Sequence, residues 1–131
     1  LVYGGLGVYA DNIPRSLVAP GQKVTVSSWG SKESPRHEML VGVDVFREMP
    51  LAMRDGMEIF LSPQTLRWGQ GLDYLLNLFS YNQLALDHLK EEDRFDLLVS
   101  HDWLALPGGM AARREGTPLI YHVHGLETGR S

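Results

Sequence analysis

The segment that most constrains the fold lies between residues 95 and 123, where two short apolar runs flank a helical stretch. The runs at 95–100 and 119–123 have the length of buried strands. The stretch at 103–115 predicts a helix, which the Pro-Gly-Gly triplet at 107–109 should interrupt. Two strands joined by a crossover helix form a βαβ unit with a parallel strand pair. The chain is therefore predicted to have an α/β fold.

The chain before this unit supplies further helices and strands. Residues 8–19 predict a helix. Pro14 should either kink this helix or delay its start, because proline lacks the N–H that a helix interior uses. Residues 23–29 predict a strand, and the alternation within 38–49 predicts a strand pair or one bent strand, with Val41, Val43 and Val45 on one face. Residues 57–61 are consistent with a short strand and 63–71 with a loop.

A long amphipathic helix is predicted over residues 72–90. Its expected buried side consists of Leu75, Leu78, Phe79, Leu84, Leu86 and Leu89. The elements together predict a Rossmann-like parallel sheet with flanking helices.

Composition excludes several classes of protein. The 131 residues fit one domain, and their net charge of -4 argues against a nucleic-acid binder or an anionic-membrane binder. No apolar run approaches the roughly 20 residues of a transmembrane helix. The chain has no cysteine, which excludes disulfides and thiolate metal sites and fits a cytoplasmic location.

The ends of the chain suggest a piece of a longer protein. The opening glycines would normally follow a strand, yet only Leu1, Val2 and Tyr3 precede Gly4. The last residues, from His124 to Ser131, have the composition of a loop. We therefore expect a parent protein with additional segments on both sides.

Candidate functional residues fall where a parallel sheet places its ligands, beyond the carboxyl ends of its strands. They are the opening glycines, the triplet at 101–103 and the segment at 124–130, which we expect to converge at one sheet edge. Glycines that open a helix can present N–H groups to phosphate, although a plain strand-to-helix turn is the simpler interpretation. Neither a P-loop nor a complete dinucleotide fingerprint with an acidic ribose partner is present.

The histidines offer a second kind of chemistry. His101 at a strand exit can donate a hydrogen bond to a sugar hydroxyl, and Asp102 can accept one or fix the histidine tautomer. Trp103 is expected in the core. His122 and His124 alternate along a strand and share a face, so they could bind a metal. Because the sequence shows no evident third ligand, the favoured interpretation is structural and no metal site is predicted.

Taken together, these motifs resemble the N-terminal domain of GT-B-fold retaining glycosyltransferases, in particular the glycogen and starch synthase-like group. The resemblance rests on an ordered set of motifs, namely Tyr3-Gly4-Gly5-Leu6-Gly7, residues 21–26, residues 95–103 and residues 116–125. It covers both ends of the chain well and residues 50–71 poorly. Where this group commonly carries lysine two residues before the paired glycines, the chain has Val2.

The resemblance implies a two-domain enzyme whose first, acceptor-side domain is the whole of 1–131, without its first strand and its C-terminal donor domain. It implies transfer of a hexose, with retention, from UDP- or ADP-hexose to a glycan hydroxyl, with no metal or other cofactor. His101 would be catalytic, Gly4, Gly5 and Leu6 would contact the donor diphosphate, and Asp102 and His124 would bind sugar or acceptor. The isolated chain should be nearly inactive.

Two other functions stay open at this point. The same fold could serve a noncatalytic glycan-binding module, or a nucleotide-binding Rossmann domain of unrelated function. A binding module would show affinity without transfer, and a dinucleotide enzyme would bind NAD, for which the sequence offers no acidic ribose partner.

Overall fold

A computed structural model describes residues 4–50, 63, 69–91 and 95–125. The chain divides into two compact units, Leu1–Met49 and Pro50–Ser131. Each unit combines helical structure with a parallel strand pair, so the predicted α/β class is confirmed. The expectation that 1–131 forms one domain stays a prediction. None of the helices in the described ranges combines the length and apolarity needed to cross a membrane.

The first unit contains helix α1 and a three-stranded sheet. Its elements are α1 (Gly4–Val18), β1 (Val24–Trp29), β2 (His37–Leu40) and β3 (Val43–Glu48). The strand order is β1-β3-β2, with β1 parallel and β2 antiparallel to β3. Val43 and Val45, which share one face of the central strand β3, are buried.

Of the strand pair and the single bent strand predicted over 38–49, the strand pair is confirmed, and a two-residue turn joins its strands. Val41 and Gly42 both have positive φ, 50° and 81°, as the tight hairpin turn that matches strand twist requires. Val41 is exposed in this turn and is not a third member of the face that Val43 and Val45 were predicted to share with it.

Helix α1 starts earlier than expected. It begins at Gly4, ahead of the start predicted at residue 8, and it continues through Pro14 to Val18. The late start expected from Pro14 was therefore wrong. Side chains hydrogen-bond to backbone carbonyls around the proline: Asn12 donates to Val8 O and Ser16 donates to Asn12 O, each at 2.9 Å.

The second unit contains the βαβ unit and the long helix before it. Its elements are α2 (Gly69–Glu91), β4 (Leu98–His101), α3 (Asp102–Ala112) and β5 (Leu119–His122). Strands β4 and β5 are parallel, in a register that pairs Leu98 with Leu119 and His101 with His122. The predicted parallel pair with its crossover helix is thus confirmed.

Helix α3 does not break at its Pro-Gly-Gly triplet, contrary to the sequence prediction. The amide of Asn82, buried on α2, holds the backbone at this point. It donates to the carbonyl oxygen of Leu104 at 2.8 Å and accepts from the N–H of Gly108 at 2.7 Å. A side chain from α2 therefore stabilises the Pro-Gly-Gly segment of α3, where the intrinsic helix propensity is weakest.

Helix α2 begins at Gly69, inside the segment predicted as a loop, and its buried face differs from the predicted one. The buried residues are Leu78, Tyr81, Asn82, Ala85 and Leu86. Leu78 and Leu86 were predicted correctly and Leu84 and Leu89 are half-buried, but Leu75 and Phe79 are 42% and 63% exposed. The strand suggested at 57–61 lies outside the described residues, as do residues 64–68 of the predicted loop.

Close packing of α3 on β4 depends on Gly109. A Cβ atom there would overlap the Ser100 Oγ and lie 3.3 Å from the Ser100 Cβ. We expect Gly109→Ala to lower the free energy of unfolding by about 1–3 kcal/mol, as overpacking of a core contact does. Urea unfolding of Gly109→Ala, Ser100→Ala and the double variant checks this. Because Ser100→Ala removes the overlapping oxygen, the double variant should recover part of the lost free energy of unfolding. If it recovers none, the overlap with Ser100 is not the cause of the loss.

Candidate functional site

The candidate site lies where the two parallel strands of the second unit end. His101 is the last residue of β4, His122 is the last residue of β5, and the register places them opposite each other. His124 follows two residues later, so it returns to the side of the sheet that His122 occupies. Three of the five histidines of the chain thus meet at the carboxyl edge of a parallel sheet, where α/β proteins bind ligands.

The three imidazole rings form one cluster. The ring centroids of His122 and His124 lie 4.3 Å apart, with the planes nearly parallel, and the His101 centroid lies 5.4 Å from the first and 5.1 Å from the second. His101 Nδ1 and His124 Nε2 are 2.9 Å apart, in a hydrogen bond. That bond needs one donor and one acceptor, so the two rings cannot both be imidazolium in this arrangement.

Asp102 connects the start of α3 with the chain after β5. Its carboxylate Oδ1 accepts a hydrogen bond from the backbone N–H of His124 at 2.8 Å, and the residue is only 6% exposed. Its φ of 56° lies in the left-handed region, which aspartate tolerates better than most residues. A strained backbone position that is held by a buried hydrogen bond is typical of functional sites.

The electrostatics of the cluster favour a neutral His101. Partial burial of the ring lowers the pKa of His101 below its usual 6.5, and the neighbouring His124 and His122 rings lower it further. Asp102 acts in the opposite direction without cancelling these effects. A neutral imidazole carries one N–H donor and one nitrogen acceptor, so His101 can donate, accept or ligate near neutral pH.

The lowered pKa makes stability depend on pH. Well above pH 6.5 His101 is neutral in both the folded and the unfolded chain, but on acidification the unfolded chain takes up the proton first. We therefore expect the urea concentration at the unfolding midpoint to decrease as the pH is lowered from 7.5 to 5. The decrease should continue until the folded chain also becomes protonated at His101. In EDTA-containing buffer, His101→Gln should reduce this fall, whereas His88→Gln, outside the cluster, should retain it. An equal pH dependence in all three proteins would contradict the prediction.

The structure brings together His101, Asp102 and His124, three of the predicted site residues. Gly4, Gly5 and Leu6 belong to the other unit, where they open α1, so the predicted convergence of the glycines with the histidines stays a prediction. Trp103 is 38% exposed, so its expected place in the core was wrong.

His122 is the functional candidate that sequence reasoning set aside. Its pairing with His124 on one face is confirmed, but the third imidazole comes from β4 and was not recognised as a neighbour. The available signal was the equivalent position of His101 and His122 at the ends of two predicted parallel strands. The strand register that unites them cannot be read from periodicity alone.

Comparison with known protein families matches residues 4–131 to the glycosyl transferase 4-like domain. Comparisons with curated proteins and with solved structures found no match. The matched range is nearly the whole chain and includes every predicted site residue from Gly4 to His124. The glycosyltransferase resemblance is confirmed at this level, while the glycogen and starch synthase-like group and the retaining mechanism stay predictions. The chain belongs to the glycosyl transferase 4-like domain family, and its general chemistry is that of a glycosyltransferase.

Proposed function

We propose that this chain is the acceptor-side, N-terminal domain of a two-domain retaining hexosyltransferase similar to the glycogen and starch synthases. The donor would be UDP- or ADP-hexose and the acceptor a glycan hydroxyl. One observation carries the proposal: the predicted sugar-site residues His101, Asp102 and His124 are hydrogen-bonded together at the carboxyl edge of a parallel strand pair. A cytoplasmic location, expected from the absence of cysteine, is part of the same proposal.

His101 is proposed to orient the donor sugar. The ring contacts His124 through Nδ1, and we assign Nε2 to a sugar hydroxyl. Asp102 holds the backbone of His124, and His124 in turn holds the His101 ring. The rigid placement of a polar group lowers the barrier because the group need not reorganise during the reaction.

The opening glycines are proposed to contact the departing diphosphate. Helix α1 begins at Gly4, and the first N–H groups of a helix have no acceptor within the helix. These donors and the positive end of the helix dipole favour an anion. Gly4, Gly5 and Leu6 would then stabilise the leaving group, together with basic side chains from the second domain.

The reaction would be a substitution at the anomeric carbon of the hexose. The acceptor oxygen forms its bond to that carbon on the face from which the diphosphate departs, and the bond to the diphosphate oxygen breaks. The acceptor proton leaves with the diphosphate, and no residue of this chain forms a covalent intermediate. Stabilisation of the negative charge on the leaving group would be the main contribution of the protein.

A donor screen tests the proposal. The longer protein that would contain this chain is incubated with UDP-, ADP- and GDP-hexoses, with and without a glucan primer, and nucleotide release is followed. We expect primer-dependent nucleotide release with a UDP- or ADP-hexose and no such release with the GDP-hexose. The product should retain the anomeric configuration of the donor. The 131-residue chain alone should release almost no nucleotide. Glucan binding without release from any donor would contradict the proposal and support a noncatalytic glycan-binding module.

A further inference from the structure

We propose that His101, His122 and His124 bind one divalent transition-metal ion of the Zn²⁺ class. This site goes beyond the proposed glycosyl transfer, which needs no metal. Each of the three residues offers one ligand nitrogen, and these nitrogens all lie within 4.8 Å of one another. Three imidazoles with a fourth, open position are an established ligand set for Zn²⁺.

The distances are close to those of a metal site. Tetrahedral Zn²⁺ with bonds of about 2.0–2.1 Å holds its ligand nitrogens about 3.4 Å apart. One pair, His101 Nδ1 and His124 Nε2, is at 2.9 Å and would separate by about half an ångström, whereas nitrogens as far apart as 4.8 Å would move closer by an ångström or so. Small rotations of the imidazole rings would achieve this, while the hydrogen bond between His101 and His124 would be exchanged for metal bonds.

The backbone positions of the three ligands are already fixed. Paired strands place His101 opposite His122, and the buried Asp102 carboxylate anchors the N–H of His124. Asp102 also interacts electrostatically with His101 and would offset part of the charge of a bound cation. A site whose ligands are held by neighbouring groups loses less conformational freedom on binding, and such supporting groups measurably raise metal affinity.

The chemistry of the ligands selects the class of ion. All three donors are imidazole nitrogens, which suit Zn²⁺, Co²⁺, Ni²⁺ and Cu²⁺, whereas Mg²⁺ and Ca²⁺ prefer oxygen ligands. The chain has no cysteine that would compete for these ions. His101 is exposed, so a solvent molecule can reach the fourth position. Neutral imidazoles are the form that binds a metal ion.

The test is a calorimetric titration of tag-free, EDTA-treated 131-residue chain with Zn²⁺ at pH 7.5, without any sugar nucleotide. We expect one ion per chain with a Kd of about 1 µM or below. His122→Ala and His124→Ala should each weaken binding at least about 100-fold, since even supporting residues contribute 10- to 100-fold. His88→Ala, which removes a histidine outside the cluster, should leave the Kd unchanged.

Two results would overturn the site: a wild-type Kd above about 100 µM, or an equal loss of affinity in His88→Ala and the cluster variants. Far-UV circular dichroism checks that each variant is folded.

If the alanine variants do not fold, the wild-type chain with Co²⁺ decides the question. Intense visible absorption, typical of four-coordinate Co²⁺, supports the proposal, and the weak absorption of six-coordinate Co²⁺ contradicts it. The titration contains no sugar nucleotide, so a failure to bind metal would not count against the proposed transferase function. That function is tested separately by the donor screen.

Discussion

His101→Ala in the longer protein is expected to lower kcat for hexose transfer by about 100- to 1,000-fold, the usual cost of losing one preorganised hydrogen-bond donor. The side chain lies at the carboxyl end of β4, its Nδ1 is held by His124, and burial with its two imidazole neighbours keeps it neutral. Alanine removes the group that would orient the donor sugar without adding bulk. Primer-dependent nucleotide release at saturating donor measures the effect.

Two controls separate this effect from unfolding and from metal binding. His88→Ala changes a histidine on α2 outside the cluster and should keep kcat within about twofold, and near-identical circular dichroism should show that both variants are folded. All assays contain EDTA, because His101 also belongs to the proposed metal site. A folded His101→Ala protein whose kcat stays within threefold of wild type would exclude the proposed role of His101.

Asn82→Leu is expected to lower the free energy of unfolding by about 3–4 kcal/mol. The Asn82 amide is buried between α2 and α3, where it bonds Leu104 O, Gly108 N and Leu78 O. Leucine has nearly the same shape but cannot bond, and each buried polar group left without its partner costs about 1–3 kcal/mol. For a chain of this length the loss corresponds to a drop in Tm of roughly 10 °C.

Gln83→Leu is the matched control, because it makes the same kind of change one residue further along α2. Gln83 is exposed, and its amide bonds Asp87 at the surface at 2.8 Å. Loss of this surface hydrogen bond should change the free energy of unfolding by less than about 0.5 kcal/mol. Thermal and urea unfolding of both variants provide the comparison, and equal stability losses would show that the buried bridge from Asn82 is not what stabilises α3.

The βαβ unit could be predicted from the sequence because its signals are local. Two apolar runs of strand length flank a helical stretch, and strand alternation alone places His122 and His124 on one face. The alternation within 38–49 predicted strand structure but left a strand pair and one bent strand open, because it does not reveal the turn at Val41 and Gly42. The elements that were predicted are those that a few neighbouring residues determine.

The other features depend on contacts between residues far apart in the chain. Helix α3 passes through Pro107 and the two glycines after it because Asn82 holds its backbone, and no local pattern reveals that bridge. Leu75 and Phe79 looked buried by periodicity, but α2 buries the stripe through Leu78 and Leu86. The third imidazole of the cluster likewise depends on the register between β4 and β5. Propensity and periodicity are overridden at these positions by tertiary packing.

The way the cluster is assembled also has a kinetic consequence. His101 and His124 are 23 residues apart, and the chain between them must form α3 and return to the sheet before the rings can meet. Parallel pairing requires the whole crossover, so a partly folded chain with β4 and α3 but no paired β5 has no cluster. The rings should therefore come together late, with the closure of β5 onto β4. Refolding followed by histidine NMR signals would then report the final docking of that strand, after most helical circular dichroism has already returned.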